Sequence, residues 1–77
     1  MGHFNMFEFW HHYCTPDGRW IEDRVLKVSG VEAASWAKTF YENYEQTPTC
    51  YHSVNRGSYE YNLKDLAAQD RIAFNVK

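Results

Sequence analysis

Cysteine is scarce: Cys14 and Cys50 are the only two in 77 residues, too few for the bridged framework that staples small secreted domains. Long apolar runs are missing as well. No stretch approaches the roughly 18 residues of a bilayer-spanning helix, and neither a signal peptide nor a lipidation motif is legible. The expectation is a reduced, cytoplasmic protein with no membrane partner. Positive charge is not in excess either: eight Lys and Arg stand against ten Asp and Glu, for a formal net charge of -2 and a pI near 6.0. That balance lacks the basic face with which nucleic-acid binders neutralise phosphates, so no direct nucleic-acid partner is expected. Catalytic signatures are absent too: no G-x-S-x-G elbow, P-loop, H-E-x-x-H helix or glycine-rich nucleotide turn. The chain is expected not to be an enzyme and to carry no cofactor.

What is abundant is aromatic surface, 18% of the chain as three Trp, six Tyr and five Phe. One domain spanning residues 1–77 buries only about 60 to 65% of its unfolded surface. Rings that each bury roughly 150 to 250 Å² compensate in part. So thin a core cannot take them all, and the remainder are expected to mark an interface.

The chain is organised around Ser29 to Gln46, which reads as an amphipathic helix. Ser29 and Glu32 have the spacing of a capping box. At about 100° per residue, Ala33, Trp36, Ala37, Phe40, Tyr41 and Tyr44 form one apolar stripe, and Pro48 blocks continuation. The two alanines suit close approach of a flat partner, so a sheet is expected beneath them. Upstream, Pro16-Asp17-Gly18 sits between two β-rich runs. Proline presets the first corner and glycine takes the left-handed position of a three-residue hairpin loop. With Thr15 facing Arg19, Tyr13 faces Ile21, His11 faces Asp23, Phe9 faces Val25 and Phe7 faces Lys27 on the face that should lie under the helix. The other face then pairs Trp10 with Arg24, a cation-π candidate, and His12 with Glu22, a charged hydrogen bond.

Beyond Pro48, Thr49 to Asn55 reads as a strand, Asn55-Arg56-Gly57 as a turn and Ser58 to Tyr61 as a short strand. Asn62 caps a brief helix from Leu63 to Asp70, and the alternation of Ile72, Phe74 and Val76 suggests a last strand. The expected fold is therefore α+β: a small antiparallel sheet, made of the N-terminal β-hairpin and later strands, packed on one main helix, with a short second helix near the C-terminus.

His12-x-Cys14 and Cys50-x-His52 would supply a Cys2His2 zinc set if their strands met. Spacing argues against this, because residues two apart on a strand lie roughly 6.5 to 7 Å apart and both strands would have to bend. Separate surface histidines and semi-buried cysteines are expected, with a Cys14 to Cys50 disulfide as the alternative in an oxidising setting. His11 and His12 lie near Asp23 and Glu22, but four histidines in so short a chain produce such triads on paper without a site. Base stacking on the aromatic strands is opposed by the interspersed Glu8, Glu22, Asp23 and Glu60.

What remains is protein binding. Trp10, Trp20 and Arg24, with His12 and Glu22 beside them, are residue types that dominate interface hot spots, and Tyr51, Tyr59 and Tyr61 add more. A second candidate surface is the acidic helix side, Glu32, Glu42 and Glu45 against Lys38, which suits a basic groove on a partner. Small acidic chains without catalytic motifs include many inhibitors of host enzymes and defence complexes encoded by phages and mobile elements, of the anti-CRISPR, anti-restriction and polymerase-inhibiting kinds. No motif assigns this chain to one of them. The expectation is a non-enzymatic domain that occludes a host enzyme or nucleoprotein complex in the host cytoplasm. The alternative is a self-associating accessory protein that pairs as a homodimer through an edge strand or the Trp face.

Overall fold

A computed structural model describes residues 6–68. In chain order the elements are β1 (Met6–Cys14), β2 (Trp20–Ser29), α1 (Gly30–Asn43), β3 (Cys50–Arg56), β4 (Tyr59–Tyr61) and α2 (Leu63–Ala68). The strands form one antiparallel sheet in the order β2-β1-β3-β4. The expected α+β class, with one main helix and a short second one, is the class observed.

Turn chemistry closes the first hairpin as its residues dictate. Gly18 adopts φ +90°, and the amides of Thr15 and Gly18 bond to the carbonyls of Arg19 (2.8 Å) and Thr15 (2.9 Å). The Thr15 hydroxyl also accepts the Arg19 amide at 3.0 Å and bonds to Asp17. From this turn the expected register holds through Cys14–Trp20, Tyr13–Ile21, His12–Glu22, His11–Asp23 and Trp10–Arg24. It then breaks. A β-bulge leaves Val25 without a partner, and Phe9 faces Leu26 while Phe7 faces Val28. The expected Phe9–Val25 and Phe7–Lys27 pairs are thereby corrected, for a reason of burial. A regular ladder would put Lys27 beneath the helix; the extra residue moves Leu26 and Val28 there and leaves Val25 exposed.

The core joins Phe7, Phe9, Val28 and Val54 from the sheet to Ala33 and Ala37 of α1 and Leu63 and Leu66 of α2. Both helices therefore cover the same side of the sheet. The alanines let α1 approach closely, and Phe40, partly buried, stacks on Phe9 at 5.4 Å. Trp36, Tyr41 and Tyr44 do not join the core as expected. They stay exposed at the margin, where Trp36 and Tyr44 flank Phe40 at 6.0 and 5.9 Å.

Both helix boundaries differ from the Ser29 to Gln46 expectation. Ser29 still pairs with Met6 at the end of β2, occupies the N-cap position in an extended conformation and makes no side-chain cap bond, so the capping box does not form. At the other end the helix stops at Asn43 because Gln46 folds back onto it. Its Nε2 donates to the carbonyls of Tyr44 (2.9 Å) and Phe40 (3.4 Å), while its Oε1 accepts the His52 amide at 2.7 Å. One side chain thus ends α1 and sews it to β3.

Strand β3 runs one residue past its expected end at Asn55, into the expected turn. The loop is Gly57-Ser58, with Gly57 at φ 62° and the flanking Arg56 and Tyr59 paired, a Gly-first two-residue hairpin. Asn62 caps α2 as expected, its Oδ1 accepting the Asp65 amide at 3.1 Å. The end of that helix at Asp70 and the strand expected around Ile72, Phe74 and Val76 lie outside the described residues. No helix among those described is long and apolar enough to cross a membrane.

Candidate functional site on the open face of the sheet

Along β1, Phe7 and Phe9 point into the core, so alternation sends Glu8, Trp10, His12 and Cys14 to the opposite face. The ladders with β2 and β3 place Glu22, Arg24, Tyr51, Ser53 and Asn55 beside them. No described helix covers this face. Four of the expected partner-binding residues, Trp10, Arg24, His12 and Glu22, thus come together there, and Trp20 joins them through its bond to Glu22.

Two carboxylates organise the face. Glu8 accepts Trp10 Nε1 at 3.3 Å, Asn55 Nδ2 at 3.4 Å and Arg24 Nη1 at 3.3 Å, drawing β1, β2 and β3 into one knot. Partial burial pushes its carboxyl up, but the bonds from Trp10, Asn55 and Arg24 outweigh this and hold it below the ordinary value. The expected cation-π pair of Arg24 with Trp10 is not what forms: the guanidinium goes to Glu8 instead, because a bound carboxylate is the stronger attraction. Glu22 accepts Trp20 Nε1 at 3.1 Å and meets His12 Nδ1 at 3.0 Å, and these two bonds hold its carboxyl low as well. The expected His12–Glu22 contact is therefore present.

His12 is the hub. Its ring lies against Tyr51, with centroids 4.6 Å apart and planes 12° from parallel, and Trp20 lies 6.4 Å away. With the ring plane fixed, one nitrogen meets Glu22 and the other, Nε2, lies 2.6 Å from Ser53 Oγ. A cleft of about 390 Å³ opens beside this serine, lined by Trp10, Asn55, Ser58 and Glu60 among others. Ser53, Glu8 and Asn55 were not legible as site residues. For Ser53 and Asn55 the only signal is the alternation of β3, useful once its register against β1 is known; Glu8 follows from the alternation of β1 itself.

The acidic residues Glu32 and Glu42 lie on α1, on the other side of the sheet, and Glu45 lies beyond its end. All are exposed, and Lys38 forms no ion pair with Glu42. The two candidate surfaces are thus separate.

The Cys2His2 set is split by the sheet. His11 pairs with His52 and Tyr13 with Cys50, which places Cys50 and His52 on the helix side and His12 and Cys14 on the open side. Among the described residues no His, Cys, Asp and Glu group has a metal-holding arrangement. Both cysteines are free and exposed, so neither the disulfide alternative nor semi-burial describes them. His52 instead packs among rings, with His11 at 4.6 Å, Phe40 at 4.7 Å and Tyr44 at 5.3 Å. Burial, reinforced by the neighbouring His11 and His12, pushes its pKa down to about 4.

No family model matches the chain, and no curated protein or solved structure matches it.

Proposed function

We propose that this is a protein-recognition domain that binds a different protein through the open face of its sheet. Trp10, Trp20 and Tyr51 are the anchors, and Arg24, His12 and Glu22 are the polar contacts that set orientation. The observation that carries this reading is that both indoles are tethered before any partner arrives, Trp10 on Glu8 and Trp20 on Glu22. Immobilising a side chain on binding costs about 0.5 to 1.5 kcal/mol, and anchors already held avoid most of it. Trp and Arg in such a setting are the usual carriers of interface energy.

In its narrower form the reading is an inhibitor encoded by a phage or mobile element, acting in the host cytoplasm. It would lay this face over the working surface of a host enzyme or defence complex. Self-association is disfavoured by the long edge strand itself. Among the described residues β2 is an edge strand; Glu22, Asp23, Arg24 and Lys27 line it, and the bulge at Val25 interrupts its outer hydrogen-bonding row. Glu32, Glu42 and Glu45, on the far side, would serve only a separate basic partner.

The test is capture from bacterial lysate by the tagged chain, compared with two variants whose folding is checked by circular dichroism. Trp10→Ala with Trp20→Ala is expected to lose the captured protein; Glu32→Gln with Glu42→Gln and Glu45→Gln is expected to keep it. The reverse pattern would move the site to the helix. A solution mass of two chains with nothing captured would replace the reading with self-association.

A further inference from the structure

The open face carries a second arrangement, which shares His12 and Glu22 with the proposed contact surface and adds Ser53. Ser53 Oγ is 2.6 Å from His12 Nε2, and His12 Nδ1 is 3.0 Å from Glu22 Oε2. A hydroxyl, an imidazole and a carboxylate thus stand in line across β3, β1 and β2. Three features make this more than a chance of surface side chains. The imidazole plane is held against Tyr51, so its two nitrogens cannot exchange partners freely. Glu22 is itself fixed by Trp20 Nε1. With an ionised carboxylate at Nδ1, the neutral ring keeps its proton there, leaving the Nε2 lone pair to face the serine hydroxyl. The nucleophile and base are within hydrogen-bond reach, and a third group orients the base, which is the geometric signature of an activated serine irrespective of fold or sequence order. The cleft beside Ser53 offers room for a small acyl group, with Trp10, Ser58 and Glu60 among the residues that line it.

We propose that Ser53 is an acyl-accepting nucleophile, with His12 as its general base and Glu22 as the positioning residue, and that the cleft takes small carboxylic esters. In the forward step a bond forms between Ser53 Oγ and the ester carbonyl carbon while the hydroxyl proton passes to His12 Nε2. The bond to the alkoxy group then breaks, and that group leaves with the same proton. Water attacks acyl-Ser53, His12 takes the water proton and returns it to Ser53 Oγ, and the carboxylic acid departs. Ester and water become acid and alcohol with no further reactant. The absence of any serine-hydrolase motif follows from the construction: the three residues meet by cross-strand pairing, so no short stretch of chain contains them.

The proposed chemistry needs no partner and is tested on the isolated chain with diisopropyl fluorophosphate. That probe forms a bond from phosphorus to Ser53 Oγ, expels fluoride and gives the hydroxyl proton to His12. Intact mass and peptide mapping are expected to show one adduct per chain, on Ser53, forming at least about 100-fold faster than in the same chain unfolded in urea, the low end of general-base assistance. His12→Gln is expected to remove that advantage. Glu22→Gln is expected to lower the rate at an unchanged site, and Glu22→Asp to restore part of it, which loss of a merely structural contact would not do. Turnover of p-nitrophenyl acetate beyond one equivalent, lost in Ser53→Ala, is expected to accompany the labelling. Overturning results are no adduct on the folded chain, an adduct on Tyr51 or another residue, or a labelling rate equal to that of the unfolded chain. Mapping the unaltered protein decides the matter even if a variant fails to fold.

Discussion

The two faces of the sheet are built from alternate residues of the same strands, yet different physics holds each together. On the covered face Phe7, Phe9, Val54 and Val28 join the helices in one buried cluster, and order there comes from close packing. On the open face order comes from charge-assisted bonds to Glu8 and Glu22. The histidines show the contrast most directly. His52 sits among rings and is driven to its neutral form, whereas His12, on the adjacent strand, is held between a carboxylate and a hydroxyl. Stability belongs mainly to the first face and chemistry to the second, and substitutions should separate accordingly.

The largest expected effect is on the covered face. Phe9 is fully buried, and Phe9→Ala should cost about 3 to 5 kcal/mol as a large-to-small core change. A domain this small has little more than that to lose, so the variant is expected to be largely unfolded at room temperature. Phe40→Ala, at a partly buried position, should cost about half as much by the same reasoning. Urea unfolding measures both. Equal losses would show that the helix margin is as much a part of the core as the sheet.

The next effect is pH-dependent and comes from His52. Its folded pKa of about 4 lies below the ordinary 6.5, so the unfolded chain binds the proton more tightly than the folded one. Stability is therefore full above pH 6.5 and falls as pH drops through the window toward 4. The loss should reach on the order of 3 kcal/mol at its lower end. Glu8 and Glu22 have pKa values depressed from 4.5. The stability they contribute is present above 4.5 and lost only below it. Unfolding measured between pH 7 and pH 5 thus isolates the histidine. His52→Leu should flatten the curve over that range, and a slope that survives the substitution would show that a group other than His52 is responsible.

How much of this was legible in the sequence depends on how local the cause is. The hairpin loop, the outer pairs from Cys14–Trp20 to Trp10–Arg24 and the Asn62 cap are set by residues within a few positions of one another, and all can be read directly. Face assignment for Trp10, His12, Glu22 and Arg24 follows from that register. Ser53 does not, because its place beside His12 depends on the pairing of β1 with β3, separated by the whole helix. The end of α1 was hidden for a similar reason: Pro48 marks where a helix must have ended, but Gln46 reaching His52 decides where it does. The bulge left one trace, the awkward prospect of Lys27 opposite Phe7 under a helix.

That bulge yields the smallest and sharpest test, since it is what lets β2 serve two faces at once. Turn chemistry sets the register below Val25, and burial of Leu26 and Val28 sets it above; the extra residue absorbs the mismatch. Deleting Val25 would join the two halves into a regular ladder while keeping the Trp10–Arg24 and Phe9–Leu26 pairs. Stability should then change by no more than about 1 kcal/mol, as at sites without buried contacts, and the Ser53, His12 and Glu22 geometry should persist. The edge, however, would lose its interruption and present an unbroken row of backbone groups unpaired among the described residues, so the deletion variant should gain a tendency to dimerise, visible by sedimentation. If the variant instead unfolds, the local twist of the bulge is itself required to seat β2 under α1, and the two faces are coupled through the backbone as well as sharing it.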